Sequence, residues 1–386
     1  MNQIPDWIPI GPALEQLSVK AATLYSYVSR GQIRSLADPK NPRCSLYSRR
    51  DIEQLLTRRS RPRARADIAS GTIAWGEPVL QTRISTVKDG QLFFGEQNAA
   101  TLARTFSLEE IAGHHFCESA PAPSPTTLPG AWTKETDPKA RAFAFLAGLA
   151  SHAAPTLGRT RAALAQEAFG LLSDFANAVL GKAHPGPIHQ RIGTHWQLSN
   201  QNSDLVRQTL VLISEHELNA STFAVRIAAS TGAALPAVAL AGLATLSGPL
   251  HGDATEQAVL FLRQIANSQS PEGQIHQTLR RNSQLPGMGH TLYPDGDPRA
   301  KALLQATNPA PNISHAIALC SQITGQVPNI DMALAALVVE LQLPEQAAFS
   351  LFAIGRMSGW LAHAIEQVET GNLIRPRAVY SPGKTR

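Results

Sequence analysis

Three histidines, one aspartate and three arginines carry side-chain types that can move protons or pair with anions. His216 follows an apolar helical stretch in SEHELNAST. His251 sits in SGPLHGDATE, where Gly and Pro break the helical pattern, and His290 sits in the turn-rich LPGMGHTLYPDGDPRA. Side chains at helix ends and on tight turns can project into a cleft, the place where general acids and bases act. Asp331 lies in VPNIDMALAAL as an apolar helix begins; a cap or first-turn acid stabilising that helix is the plain structural reading. Arg356 interrupts the apolar stretch LFAIGRMSGW, which predicts a buried partner carboxylate. Arg299, in DPRA, and Arg375, the first Arg of RPR, are ordinary when taken singly, but guanidinium groups pair with carboxylates in a planar, bidentate way that Lys cannot copy.

The elements that must position these residues are helices. From about residue 139 apolar residues recur at three- and four-residue spacing, predicting helices over 142–150, 160–179, 204–215, 220–231, 235–246, 254–265, 313–319, 332–341 and 344–370. Many small residues in 220–248 let helices approach closely, inside the chain or at a subunit interface. Gly71–Phe94 alone suggests strands, with Asp89-Gly90 as a hairpin turn. Ala120–Pro129 is a Pro-rich loop.

The chain has 386 residues, 43% apolar and 16% charged, enough for two or three domains with a sizeable core. Cys44, Cys117 and Cys320 are odd in number and widely separated, which points to a reducing compartment, and no metal-ligand spacing is present. The start MNQIPDWIPIGP lacks a secretory pattern, and the longest apolar run, Ala233–Leu246, is too short to span a bilayer. A soluble, cytoplasmic protein is expected.

Charge is unevenly placed. Residues 1–65 carry 12 Lys and Arg against 5 Asp and Glu, a balance of +7, and the remainder carries 22 against 24. Such asymmetry suggests an anionic partner for the N-terminal segment. Residues 9–59 read as a small domain: a short helix over Ala13–Leu17, a second helix capped by Ser18 and stopped at Gly31, and short strands over Ile33–Leu36 and Cys44–Tyr47. A capping box, Ser48-Arg-Arg-Asp51, then opens a third helix with Ile52, Leu55 and Leu56 inward. Helix, turn, helix, small wing, helix is a DNA-reading layout. The stretch LSVKAATLYSYVSRGQIRS…CSLYSRRDIEQLL resembles the helix-turn-helix of the excisionase and MerR families. Lys20, Thr23, Tyr25, Ser26 and Arg30 would lie on its recognition helix, and a protein-binding role is the competing reading. Residues 58–66 (RRSRPRARA) read as a basic linker.

HELNAST, GPLHG, PGMGHTLYPDGDPRA, PNIDMAL, IGRMSGWLAHAIEQ and IRPRAVY follow one another over about 170 residues. That ordered series resembles the citrate synthase family, and TRISTVKDGQLFFGEQNAATLARTFSLEEIAGHHF is similar to the family's N-terminal strands and first helices. The resemblance implies a mainly α, two-domain citrate synthase-like fold behind the helix-turn-helix-like domain. Its parts would be residues 1–65 as basic domain and linker, 66–252 as the first part of a large domain, 253–345 as a small domain and 346–386 as the large domain's C-terminal part. It implies an acyltransferase of the Si-citrate synthase type in the tricarboxylic acid cycle, joining acetyl-CoA, oxaloacetate and water into citrate and CoA. Asp331 would remove a methyl proton, His251 would hold the enol or enolate oxygen, and His290 would activate the keto carbonyl. His216, Arg299 and Arg356 would bind oxaloacetate, with Arg375 reaching over from the partner of a homodimer. Leu285, Pro286, Gly287, Met288 and Gly289 would form the turn against which CoA lies. The thioester is a substrate, and no resident cofactor or metal is implied.

The chain departs from the family in places. Where the family commonly reads HGGAN, this chain reads His251-Gly-Asp253-Ala-Thr255, so a carboxylate near His251 is expected to alter its electrostatics or the acyl pocket. Thr291 replaces an Arg that often follows the third histidine, and the catalytic part is short near the Pro-rich loop. Two other readings stand beside acetyl transfer: a 2-methylcitrate synthase using propionyl-CoA, and a DNA-binding regulator whose synthase-like body senses a metabolite.

Overall fold

The structure is a computed structural model that describes residues 7–17, 19–29, 32–38, 41–49, 51–52, 80–121, 135–282 and 284–378. It divides into two compact units, Met1–Val79 with Ala378–Arg386, and Leu80–Arg377.

In the first unit, β1 (Trp7–Pro9) runs into α1 (Ile10–Leu17), followed by α2 (Ala21–Ser29), β2 (Ser35–Asp38) and β3 (Asn41–Ser48). The strands are antiparallel in the order β1-β3-β2, with Ile8 opposite Tyr47 and Leu36 opposite Leu46. Helix α1 begins three residues before the expected Ala13, because Pro12 falls in the first turn, where a missing N–H breaks no helical bond. Ile8, Ala13, Leu17, Leu24, Ile33, Tyr47 and Ile52 form a small core. The expected capping box is half made. Ser48 Oγ accepts from Asp51 N at 3.3 Å, but the Asp51 carboxylate turns to Arg34, accepting from its backbone N at 3.0 Å and its guanidinium at 2.8 and 2.9 Å. A charged donor outcompetes the backbone N–H of Ser48, which donates to Arg34 O instead. The expected cap Ser18, and Arg30, Leu55, Leu56, the stretch 58–66, residues 71–79 and most of the Pro-rich loop lie outside the described residues.

The second unit opens with an antiparallel sheet of β4 (Ser85–Lys88), β5 (Gln91–Phe94) and β6 (Gln97–Asn98). Asp89 and Gly90 connect β4 to β5 with φ of 51° and 69°, the left-handed pair that a two-residue hairpin turn requires. Helices follow: α3 (Ala99–Leu102), α4 (Leu108–Phe116), α5 (Pro138–Ala150), α6 (Arg161–Leu180), α7 (Ile188–His195), α8 (Asn200–Ile213), α9 (Ala220–Ser230) and α10 (Leu235–Leu246). Then come α11 (Asp253–Ala266), α12 (Pro271–Asn282), α13 (Pro298–Thr307), α14 (Pro311–Thr324), α15 (Ile330–Glu340) and α16 (Ala347–Thr370). Local chemistry sets their ends. Ser199, Asn219 and Asn329 place a side-chain oxygen on first-turn N–H groups of α8, α9 and α15. Gly181, Gly325 and Gly371 close α6, α14 and α16 in the left-handed conformation.

Two apolar cores fill this unit. The larger surrounds α16, whose residues are buried without a break from Ala347 to Gln367. A Cβ on Gly242 of α10 would come within 2.8 Å of Trp360 and Val225, so this small residue lets α9, α10 and α16 pack within the chain. The second core draws on α11, α12, α14, α15 and the start of α16 through Val259, Leu262, Ile275, Ile317, Met332 and Ala348. Helix α15 serves both: Met332, Ala335 and Ala336 face the second core, and Ala333, Leu334 and Leu337 face the larger one, which also takes Ala300 and Leu303 of α13. Among the described residues no helix is long and apolar enough to cross a membrane.

Candidate active site

His216 sits in the short link between α8 and α9. Asn219 caps α9 and also donates from Nδ2 to His216 O at 3.2 Å, which pins the link. The His216 ring is buried, with Nε2 2.9 Å from Tyr293 Oη. His290 stands edge-on to it, ring centroids 5.3 Å apart, and lies 5.0 Å from the Tyr293 ring. His290 Nδ1 accepts the Leu292 N–H at 3.1 Å, so the neutral ring carries its proton on Nε2. His251 comes from the turn between α10 and α11. The next residue has to be Gly, since a Cβ on Gly252 would meet Leu246 O at 2.6 Å. His251 Nε2 lies 2.9 Å from Ser221 Oγ, and Ser221 Oγ accepts from Trp360 Nε1 at 3.1 Å.

Burial works against charge on all three imidazoles. It holds His251 at about 4, with Arg356 adding to the depression. His216 and His290 are depressed by burial and then by Arg299. The three rings are therefore neutral at physiological pH, able to donate a hydrogen bond without carrying a charge.

Asp331 occupies the first turn of α15, where Asn329 Oδ1 accepts its backbone N–H at 2.9 Å. Thr255 Oγ1 donates to Asp331 Oδ1 at 2.7 Å. Removal from water raises Asp331 above the usual carboxylate range; Thr255, Arg299 and Arg356 pull it back, and Asp297 adds to the rise. A carboxylate raised in this way is a stronger base than an exposed one.

The arginines differ. Arg299 is buried against Asp297, donating to its two oxygens at 3.0 and 2.7 Å. Burial disfavours both charges, but their mutual attraction wins: Arg299 is raised and Asp297 lowered. Arg356 is buried too, yet its predicted carboxylate partner is missing. Its Nε donates to Ile213 O at 2.9 Å, its guanidinium carbon lies 5.0 Å from the Phe352 ring centroid, and no carboxylate stands within 4.0 Å among the described residues. Glu215, the carboxylate that acts most strongly on Arg356, is committed to His363 Nε2 at 3.0 Å and Ser85 Oγ at 2.9 Å. Burial pulls Arg356 down to about 10, and Glu215 and Asp331 resist from a distance.

His216, His251, His290, Asp331, Arg299 and Arg356 thus form one electrostatically coupled group. Arg375 stands apart, exposed in the segment after α16 and without a hydrogen bond or ion pair to the group. The Leu285–Gly289 turn lies alongside α15. Gly287 and Gly289 have φ of 75° and 74°, and a Cβ on Gly287 would meet Met332 at 2.9 Å. Asn329 ties turn to helix, donating from N to Gly287 O and from Nδ2 to Gly289 O, both at 2.9 Å.

Asp253 does not act on His251 as expected. Lys139 Nζ holds both its carboxylate oxygens, at 2.7 and 2.8 Å, and the charge that shifts His251 is Arg356. Thr291 is exposed. Sequence reasoning missed Tyr293, Ser221 and Trp360. Tyr293 lies three residues after His290 in the same turn, and Ser221 is part of HELNAST itself, so both were within reach of the motifs.

A family model described as the citrate synthase C-terminal domain matches residues 133–377. The chain belongs to the citrate synthase family. It is 31% identical over 226 residues to citrate synthase 2 of Bacillus subtilis (strain 168), 56% of this chain and 57% of that protein. It is 28% identical over 224 residues to 2-methylcitrate synthase 1 of Corynebacterium glutamicum, 55% of this chain and 56% of that protein. The chain spans a little over half the length of these curated relatives. Its fold is similar to that of the citrate synthase from the thermophilic archaeon Thermoplasma acidophilum, solved as a ternary complex with carboxymethyl coenzyme A and oxaloacetate. There the TM-score is 0.68 at 23% identity, covering 80% of this chain and 95% of that one. All seven residues named for chemistry lie within the citrate synthase segment.

Proposed function

We propose that the protein condenses acetyl-CoA with oxaloacetate and water to give citrate and CoA. Asp331 takes a proton from the thioester methyl group. His251 donates a hydrogen bond to the enol or enolate oxygen. The methyl carbon attacks the keto carbon of oxaloacetate as His290 delivers its Nε2 proton to the carbonyl oxygen, and water then cleaves the thioester and releases CoA. His216, Arg299 and Arg356 hold the oxaloacetate, Arg375 joins them from the second subunit of a dimer, and CoA lies along Leu285–Gly289. Closure of the 253–345 segment over the substrates would exclude water until the new C–C bond exists. The observation that carries this reading is Arg356: a buried guanidinium without a carboxylate of its own, acting on Asp331 and on the neutral rings of His216 and His251, suits a carboxylate-bearing electrophile. The Thermoplasma acidophilum enzyme, with oxaloacetate and a CoA analogue bound on the same fold, supports it.

Release of free thiol from acetyl-CoA in the presence of oxaloacetate tests the proposal. Wild type should release thiol and Asp331→Ala should lose about 10²–10⁴-fold in kcat. No release by wild type, or full release by the variant, rejects it. The match to a 2-methylcitrate synthase favours a variant reading with propionyl-CoA, which the ratio of kcat/KM for the two thioesters decides.

The N-terminal unit supports a second role, as a winged helix-turn-helix that binds DNA. Its helix pair is followed by an antiparallel hairpin, α2 exposes Tyr25, and Lys20 just before α2 is exposed, in a segment of net charge +7. Binding of duplex DNA by the full chain should weaken steeply between low and physiological salt. No binding at low salt rejects this role.

A further inference from the structure

Four residues after the histidine of its GPLHG motif, where the family pattern has Asn, this chain has Thr255. The side chain is fully buried in the first turn of α11, and its hydroxyl donates to Asp331 Oδ1 at 2.7 Å. That length is close to the about 2.5–2.7 Å of an O–H bond to an ionised oxygen. The two residues sit on helices that share one core, Ala258, Val259 and Leu262 of α11 meeting Met332, Ala335 and Ala336 of α15. Asn329 fixes the backbone of Asp331 from the other side. One carboxylate oxygen is thereby held, and Oδ2 has no hydrogen-bond partner among the described residues.

We propose that Thr255 is a positioning residue that holds Asp331 ionised and oriented, with Oδ2 free to receive the thioester methyl proton. The inference rests on the reading of Asp331 as the base. Hydroxyl and carboxylate belong to the same pair of helices, so their geometry survives any movement of that pair toward the substrate. The charged groups acting on Asp331 are Arg299 and Arg356, which favour the ionised form, and Asp297, which opposes it. Asp253, on the same turn as Thr255, is neutralised by Lys139. Thr255 is the neutral donor that adds to the two arginines and helps offset removal from water.

The test uses the full chain with Thr255→Val, which keeps the shape and removes the donor, and Thr255→Ser, which keeps the donor. Two quantities are read: the pH dependence of kcat and kcat/KM, and the titration of the Asp331 carboxyl by carbon-13 NMR, assigned by its loss in Asp331→Asn. Thr255→Val should lose about tenfold or more in kcat, the scale of one hydrogen bond to a charged group, with KM for oxaloacetate kept within about twofold. Its acidic pH limb and the Asp331 titration should both move upward, and Thr255→Ser should restore them. Unmoved titration in Thr255→Val overturns the proposal. So does a loss of activity shared equally by the Val and Ser variants with an unmoved acidic limb, which marks a packing role. If wild type releases no thiol, the base reading fails, and the NMR titration still decides whether Thr255 holds the carboxylate.

Discussion

Arg299 and Arg356 are buried to the same depth, 2% and 1% exposed, and are treated in opposite ways. Arg299 is closed on itself by Asp297, a carboxylate that also caps α13 and accepts the Ile330 N–H at 3.1 Å. The pair is part of the scaffold that joins α13 to α15. Arg356 has one backbone carbonyl and an aromatic face. A charge removed from water without a charged partner weakens the fold, so its position makes sense as affinity held ready for an anionic guest. Two similar side chains therefore differ in what the fold has already asked of them: Arg299 carries a structural carboxylate beside its proposed part in holding oxaloacetate, and Arg356 carries none.

The sharpest way to break that contrast is Arg299→Met. Leaving Asp297 buried and unpaired should cost about 3–5 kcal/mol in a denaturant titration. Replacing Asp297 by Asn in the same chain, which removes the charge and keeps an acceptor for the cap, should recover most of the loss. Arg356→Met should instead leave stability within about 1 kcal/mol of wild type, since only one backbone carbonyl and no charge is stranded, and raise KM for oxaloacetate about tenfold or more. If both methionine variants unfold alike, the contrast between a paired and an unpaired guanidinium is wrong.

Imidazoles extend the contrast. Burial holds His251 at about 4 and His115 at about 3, both below the ordinary 6.5. His251 leans on Ser221, whereas neither ring nitrogen of His115 has a hydrogen-bond partner among the described residues. Between those folded values and 6.5 the unfolded chain binds more protons, so the stability of the neutral rings is complete above about 6.5 and drains away as pH falls through the folded values. Thermal scans should show Tm dropping with acidification in that window, and His115→Leu should blunt the drop. The smallest effect belongs to Asp253→Asn. The Lys139 pair is partly exposed, so its loss should cost about 1 kcal/mol or less, and His251 should keep its titration.

Helices with a strong apolar period were legible. Leu235–Leu246 was read to the residue, and Pro138–Ala150 was missed only in its polar first turn. Pro271–Asn282 escaped because Ile275 alone is buried, so it carries no stripe to read, and Ile188–His195 because only Ile188 and Ile192 mark the apolar side of so short a helix. Pro298–Thr307 was obscured by the Gly- and Pro-rich turn before it. For the site, motif order pointed to the group that the fold gathers around Arg356. What stayed hidden was pairing between distant segments. Lys139 and Asp253 are 114 residues apart, and no local pattern announces that one charge will be spoken for by the other. The partner carboxylate expected for Arg356 was misjudged for the same reason: the buried Glu215 is taken by His363 and Ser85, residues 148 and 130 positions away.

The Asn329 link has a consequence for heredity and for engineering. Its side chain and backbone nitrogen serve two carbonyls of the 287–289 turn, and Gly287 leaves room for Met332. Residues 287–289 and 329–332 are some forty positions apart in the chain but make one joint. A substitution on either side alone strands its counterpart, so the two stretches should change together or not at all, and a chimera assembled from two relatives will keep its joint only if both halves come from the same parent.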